Sequence, residues 1–397
     1  MTIKADAMTV KADAVTIKGE AVTVNDTNIK LTEPLIKRLT HGQAWWSALS
    51  RQGPRSGGLV ACLLVLCLCL LTALWSLMTG PMELQSNDLW RALGNVLTGQ
   101  PVAGSADWVI RELRLPRVVL AMVVGAGLAV AGCVTQGVFR NPLADPGLIG
   151  VSSGAALAAV AVIVLSATWL EGWKGLTGPW ALPLAAFCGG LVVTLVIYRL
   201  GTRDGQTQVA LLLLAGIAIN VLAGAATGIL TYVADDQQLR DMTFWSMGSL
   251  ANGRSTEITA ATCLIAIPLL VSISRARVLN AMLMGEQVAR HLGYSIQRDK
   301  RLLLACAALM VGAGVAISGM IGFIGLVVPH LLRLLIGPDH RLLLPLSALS
   351  GAWLLLIADT LARTLMPPAD LPVGLVMAVI GGPVFLILLI QQSRRWL

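Results

Sequence analysis

Ten apolar runs, each close to the roughly 20 residues a helix needs to cross a bilayer, decide what this chain can fold into. They lie at about 58–79, 116–138, 148–168, 181–200, 208–233, 258–275, 302–320, 321–336, 342–361 and 372–391. Only 13% of the 397 residues are charged and 56% are hydrophobic, against roughly 25% charge in a soluble domain. Strands of a transmembrane barrel would alternate polar and apolar residues. These runs do not alternate, so the expected class is all-α and polytopic. The seventh and eighth runs are parted only by a glycine-rich stretch around Gly319 and Gly322. All cysteines fall inside or at the ends of apolar runs, where Cys acts as a small hydrophobe, and no metal site is expected.

Two octets are nearly the same: Gly125-Ala-Gly-Leu-Ala-Val-Ala-Gly132 and Gly312-Ala-Gly-Val-Ala-Ile-Ser-Gly319. The same offset then sets Pro142 opposite Pro329, which points to an internal duplication. Five spans per half is an odd number, so the second half is inverted relative to the first. The glycines recur at spacings that let helices approach closely, and the octet reads as a packing element.

Basic residues set the orientation. Lys4, Lys11, Lys18, Lys30, Lys37, Arg38, Arg51 and Arg55 precede the first run, and Arg140, Arg199, Arg203, the cluster from Arg275 to Arg301, Arg333, Arg341, Arg394 and Arg395 fall on the same side. The other side receives far fewer, among them Arg91, Arg111, Arg240 and Arg254. Both termini are expected in the cytoplasm. The net charge of +8 then reflects topology and contact with anionic lipid, with no nucleic-acid partner. Residues 1–28 repeat with period seven, but Ala and β-branched residues make a weak coiled-coil seam, and no apolar segment there resembles a signal peptide. Residues 1–57 are expected to form a largely disordered cytoplasmic tail.

Five blocks carry a family resemblance: Arg114-Leu-Pro-Arg117; Gln136 to Ala155; Gly285-Glu-Gln-Val-Ala-Arg-His-Leu-Gly293; Gly322-Phe-Ile-Gly-Leu-Val-Val-Pro-His-Leu-Leu-Arg333; and Leu371 to Phe385. Over roughly residues 58–391 the chain resembles the FecCD/BtuC-type permeases of ABC importers for iron-siderophores, haem and vitamin B12. The resemblance implies a type II importer permease of two inverted five-helix repeats. Its parts would be the tail 1–57, a first half 58–257 with an outer segment 235–253, a second half 258–391 with a cytoplasmic loop 276–300, and the C-terminus 392–397.

Asn141-Pro142 and Asp145-Pro146 place two helix-breaking prolines in one inner loop, and the resemblance sets this loop, with Asn141, near the translocation pathway. Gly285 to Gly293 has Val288 and Leu292 four apart with Glu286, Arg290 and His291 on other faces, the pattern of a short amphipathic helix bounded by glycines. Periodicity alone would let it lie at the lipid headgroups. The resemblance implies a coupling helix docking on an ATPase through Gly285, Glu286, Ala289, Arg290, Leu292 and Gly293. Arg114 and Arg117 stand before the second run and Arg363 at the outer end of the ninth, where arginines commonly snorkel. The resemblance implies that these three receive carboxylates of a binding protein, a task suited to bidentate pairing. Asp359, one turn before Arg363, offers an internal partner.

No lysine follows a glycine, so no P-loop is present, and ATP must be hydrolysed by another polypeptide. Nor do the spans hold paired carboxylates or a nucleophile–base set, so no enzyme is expected. An ion-coupled secondary transporter would need polar residues at mid-span, where chiefly Asn220 stands. Thr243-Phe-Trp-Ser-Met-Gly-Ser-Leu250 is similar to haem permeases, which favours haem over a ferric siderophore or cobalamin. Of His41, His291, His330 and His340, none is expected to ligate haem, which is substrate here and not a permanently bound cofactor. By resemblance a gate lies at the start of the fifth span, where Val209 and Ala210 make the constriction apolar. The expected assembly is a homodimer in the bacterial inner membrane with two ATPase subunits and a periplasmic haem-binding protein.

Overall fold

The computed structural model describes residues 53–393 apart from 81, 83, 103, 166–170, 204–205, 252 and 367–368, together with Thr16–Ile17 and Glu20–Ala21. The chain divides into two units, Met1–Gly57 and Gly58–Leu397. In the first, β1 (Thr16–Ile17) pairs antiparallel with β2 (Glu20–Ala21); the rest of the heptad tail lies outside the described residues, as do 394–397 at the other end.

Apart from a short helix at Glu171–Thr177, the α-helices run in order α1 (Gly53–Met78), α2 (Ser86–Thr98), α3 (Ser105–Phe139), α4 (Val151–Leu165), α5 (Ala181–Leu200), α6 (Val209–Val233), α7 (Asp236–Met247), α8 (Ser255–Ser274), α9 (Ala276–Leu283), α10 (Glu286–His291), α11 (Ile296–Ser318), α12 (Ile324–Ile336), α13 (His340–Thr364) and α14 (Val373–Ser393). A small hairpin of β3 (Thr202–Arg203) and β4 (Gln206–Thr207) joins α5 to α6. Each of the expected apolar runs is a helix, and among the described residues 8 helices are long and apolar enough to cross a membrane. The other two, α4 and α12, are shorter and stand at matching places in the two halves.

Most of the apolar stretch of α3 (78%) and α11 (72%) is buried, against 17% for α6 and 22% for α1, α5 and α14. These two helices form the centre, with α13 (56%) and α8 (33%) intermediate, and the least buried helices leave apolar side chains exposed. The halves repeat one packing scheme: α3 packs on α13 and α12, α11 packs on α5 and α4, and α3 and α11 meet each other.

The second span begins earlier than its hydropathy suggests. From Ser105 the chain is already helical, and over Val109–Arg114 the helix widens to the π pattern before resuming at Leu115. Pro116 supplies the reason: it lacks an N–H and its ring crowds the carbonyl four residues back, which the widened turn accommodates. Arg114 and Arg117 are thus inside a helix and not in a loop ahead of one.

The duplicated octets differ in packing tolerance at their first two glycines, whereas at the last glycine of each, Gly132 and Gly319, an added Cβ would overlap backbone. A Cβ on Gly125 would overlap the backbone of Gly351 on α13, and one on Gly132 would overlap the backbone of Gly325 on α12. In the second octet a Cβ on Gly312 would meet the Phe187 ring at 3.4 Å and one on Gly314 would meet Val124 at 3.5 Å, ordinary contacts. The offset also breaks after the octets. α3 continues to Phe139 and leaves Pro142 in a loop, whereas α11 stops at Ser318, Gly319 takes a φ of 67°, and Pro329 falls inside α12. Gly132→Ala is expected to destabilise the protein by about 3 kcal/mol or more, the upper range for overpacking. Gly314→Ala should be neutral or stabilising by up to about 1 kcal/mol, since it also gains helix propensity. Thermal unfolding of the detergent-solubilised protein checks both.

Candidate functional site

At the end of the bundle that the basic-residue distribution assigns to the outside (called outer below, and the opposite end inner), α3 and α13 hold a buried charge cluster. Asp359 is fully buried, with Arg117 Nε and Nη2 each 2.9 Å from its Oδ1 and Arg363 Nε 3.3 Å from its Oδ2. Arg117 Nη1 also donates to Asp370, which reaches the surface. Arg363 donates from Nη2 to Ser76 Oγ at 2.6 Å and from Nη1 to the Thr79 carbonyl at 3.2 Å. Arg114 donates to the carbonyls of Leu77 at 2.7 Å, Met78 at 2.9 Å and Met82 at 2.6 Å. The last turn of a helix leaves carbonyls without intrahelical partners and attracts cations, and here two arginines cap the end of α1. Arg114 and Arg363 are only 5% and 7% exposed. The three arginines expected to face a binding protein are therefore turned inward and joined to internal acceptors. Sequence reading anticipated the Asp359–Arg363 pair but missed that Arg117 holds the same carboxylate more closely.

Beside this cluster a cavity of about 570 Å³ opens on the outer side, lined by Trp245, Phe244, Asp241, Arg254, Ser318 and Asp370 among others. Two of its walls, Phe244 and Trp245, come from the segment that resembles haem permeases.

At the inner end, α10 spans Glu286–His291 between Gly285 (φ 108°) and Gly293 (φ 87°), both in conformations that favour glycine. Gln287, Val288, Arg290, His291 and Leu292 are exposed, while Ala289 is the buried foot. Glu286 does not face outward: Lys300 Nζ, on α11, lies 2.6 Å from its Oε1, and Lys300 is 1% exposed. The neighbouring Asp299 pairs with Arg275 at 2.8 Å. Lys300, Asp299 and Gln297 belong to none of the sequence blocks that suggest a site. The signal was present, because Ile296, Asp299, Lys300, Leu303, Leu304 and Ala307 recur at helical spacing and all are buried.

The same turn of α11 holds the hairpin before α6. Gln297 Oε1 accepts the Thr207 N–H at 3.0 Å, and Thr207 Oγ1 lies 3.3 Å from the Tyr198 hydroxyl. Gate candidates Val209, half-buried, and Ala210, exposed, follow directly at the start of α6. Asn220, the mid-span polar residue, is half-buried, and its Oδ1 accepts from Ser153 Oγ at 2.5 Å, which ties α6 to α4. Asn141 is exposed, and its Oδ1 accepts the Leu143 N–H at 3.0 Å to fold the inner loop. Asp145 accepts the Gly147 N–H at 2.7 Å; burial pushes its carboxyl above the ordinary range, with the Gly147 amide opposing. His330 and His340 are buried on α12 and α13, and among the described residues no group of His, Cys, Asp and Glu can hold a metal ion.

Residues 67–391 match the FecCD transport family. The chain belongs to that family. Within the FecCD family it is 47% identical over 341 residues to the hemin transport system permease HmuU of Yersinia pestis, covering 83% of this chain and 95% of that one. It is 43% identical over 294 residues to the cobalamin import permease BtuC of Halobacterium salinarum, covering 74% of this chain and 76% of the relative. A solved inward-facing metal-chelate type ABC transporter superposes with a TM-score of 0.72 at 30% identity, covering 83% of this chain and 98% of that one. This FecCD-family chain is accordingly a transport subunit with a polytopic helical fold.

Breaking a buried ion cluster by removing one partner typically costs about 3–5 kcal/mol. Asp359→Ala should therefore lower the thermal midpoint sharply, whereas Arg254→Ala, at an exposed position, should stay within about 0.5 kcal/mol of the parent.

Proposed function

We propose that this FecCD-family permease carries haem from periplasm to cytoplasm across the bacterial inner membrane, as two copies around a central pore with two separate ATPase subunits inside and a haem-binding protein outside. The observation that carries the reading is the 47% identity to a hemin permease over nearly the whole of that relative. The outer cavity walled by Phe244 and Trp245 supports it, since a flat apolar macrocycle suits aromatic surfaces. The 43% identity to a cobalamin permease favours cobalamin as the second reading.

In this reading both termini are cytoplasmic and the exposed faces of α10 enter the ATPase. Val288 and Leu292 supply apolar contact, and Arg290 a flanking charge. Motion of α10 would pass through the Glu286–Lys300 pair to α11, then through Gln297 to the hairpin and the Val209–Ala210 turn. No ATP chemistry occurs in this chain. On the outer face, Arg114 and Arg363 would fix the shape of the docking surface from beneath, and Arg117 with Asp370 would form its edge.

Reconstitution with a partner ATPase in proteoliposomes should give haem uptake that requires ATP. Uptake driven by an ion gradient without ATP would overturn the importer reading, and cobalamin uptake without haem uptake would transfer it to the second substrate. Replacing Val288 and Leu292 together with Asp should cut ATP-driven uptake about tenfold or more, the size of losing an interface hot spot. The thermal midpoint should not change, because both side chains are exposed. Unchanged uptake would remove α10 from the coupling role.

A further inference from the structure

A second cavity, of about 450 Å³, lies between α5, α6 and α11, away from the outer cavity, and the proposed function gives it no occupant. Its walls are almost wholly apolar, among them Leu195, Ile197, Leu212, Leu304 and Leu309. It opens on the side of the helical bundle, where Leu195 and Ala305 are exposed. The stretch of α11 that lines it runs from Arg301 to Leu309, about 12 Å at 1.5 Å per residue. That depth approaches one leaflet of a hydrocarbon core about 30 Å thick.

Three polar features stand at defined depths. Arg301, at the mouth, is exposed and makes no hydrogen bond or ion pair with the described residues. Tyr198, at the same end, is of the type enriched where membrane meets water. One turn deeper, the Thr194 hydroxyl is buried with no hydrogen-bond partner among the described residues. A buried hydroxyl left unpaired is costly, so a group bringing an acceptor into the cavity is stabilised there.

We infer that this crevice binds an anionic glycerophospholipid, with its phosphate at Arg301, an ester carbonyl accepting from Thr194 and an acyl chain along α11. A cation at the mouth, a donor below it and an apolar floor one leaflet deep match the three parts of such a lipid in order. A free phosphate would leave the apolar floor empty. Placing this lipid in the inner leaflet rests on the orientation proposed above; the existence of the site does not.

The test is native mass spectrometry of the full chain in detergent, titrated with palmitoyl-oleoyl phosphatidylglycerol or with the phosphatidylcholine of the same chains. The parent should retain the anionic lipid about fivefold better, the size of one basic residue near an anionic surface. Arg301→Lys should keep that preference and Arg301→Gln should lose it, while Ala305→Phe, filling the groove from an exposed position, should reduce retention of both lipids. Equal preference in the parent and in Arg301→Gln would overturn the assignment. So would disulfide crosslinking between two Leu195→Cys copies in membranes, which would show that a second copy of the chain covers the crevice. Lipid retention is read without transport, so failure here and failure of the haem reading are separable.

Discussion

Backbone contact along one side of α3 is the constraint on which the rest of the structure depends. Within lipid, helices gain little from hiding apolar side chains from one another, and close packing must supply the association. Gly125 against Gly351 and Gly132 against Gly325 let α3 approach α13 and α12 with no side chain between them. Everything positioned by α3 inherits that approach. At its outer end Arg114 and Arg117 reach the end of α1 and the carboxylate of α13; at its inner end the Asn141–Asp145 loop leads into α4.

The outer charge cluster shows how such a fold joins its layers. Asp359 is surrounded by two guanidiniums, and the carbonyls left open at the end of α1 accept from Arg363 and from Arg114. An arginine side chain can cap a neighbouring helix and neutralise a buried carboxylate together, because its donors form a planar fork. At the inner end the first turn of α11 does similar work with different chemistry. Lys300 holds Glu286 of the exposed knob, and Gln297 holds the hairpin ahead of α6. One central helix thereby touches both inner elements to which the proposed function gives a moving part.

Much was legible in the chain itself. The apolar runs mapped onto helices because transmembrane length is a local property, readable without knowing any neighbour. The 285–293 block read correctly as a short helix between glycines, since positive φ at Gly285 and Gly293 is a demand that the residue type announces. The family resemblance implies a docking role for Arg114, Arg117 and Arg363, and hydropathy places the first two ahead of the second span. The helix in fact begins at Ser105, and burial of Arg114 and Arg363 depends on acceptors more than thirty residues away or on other helices. Asn220 was singled out as a polar residue at mid-span, but its partner Ser153 lies on another helix and leaves no trace in the local pattern.

The sequence by itself determined that the chain is a helical membrane protein, which residues cross, and which family's blocks it carries; each rests on composition, period or a contiguous motif. Only the tertiary structure decided at which glycines of two near-identical octets a methyl group cannot fit, and whether an arginine at a membrane edge is held by its own fold. Those outcomes depend on what stands opposite each residue, and the spacing of residues along a chain does not state what the chain will bring back to meet them.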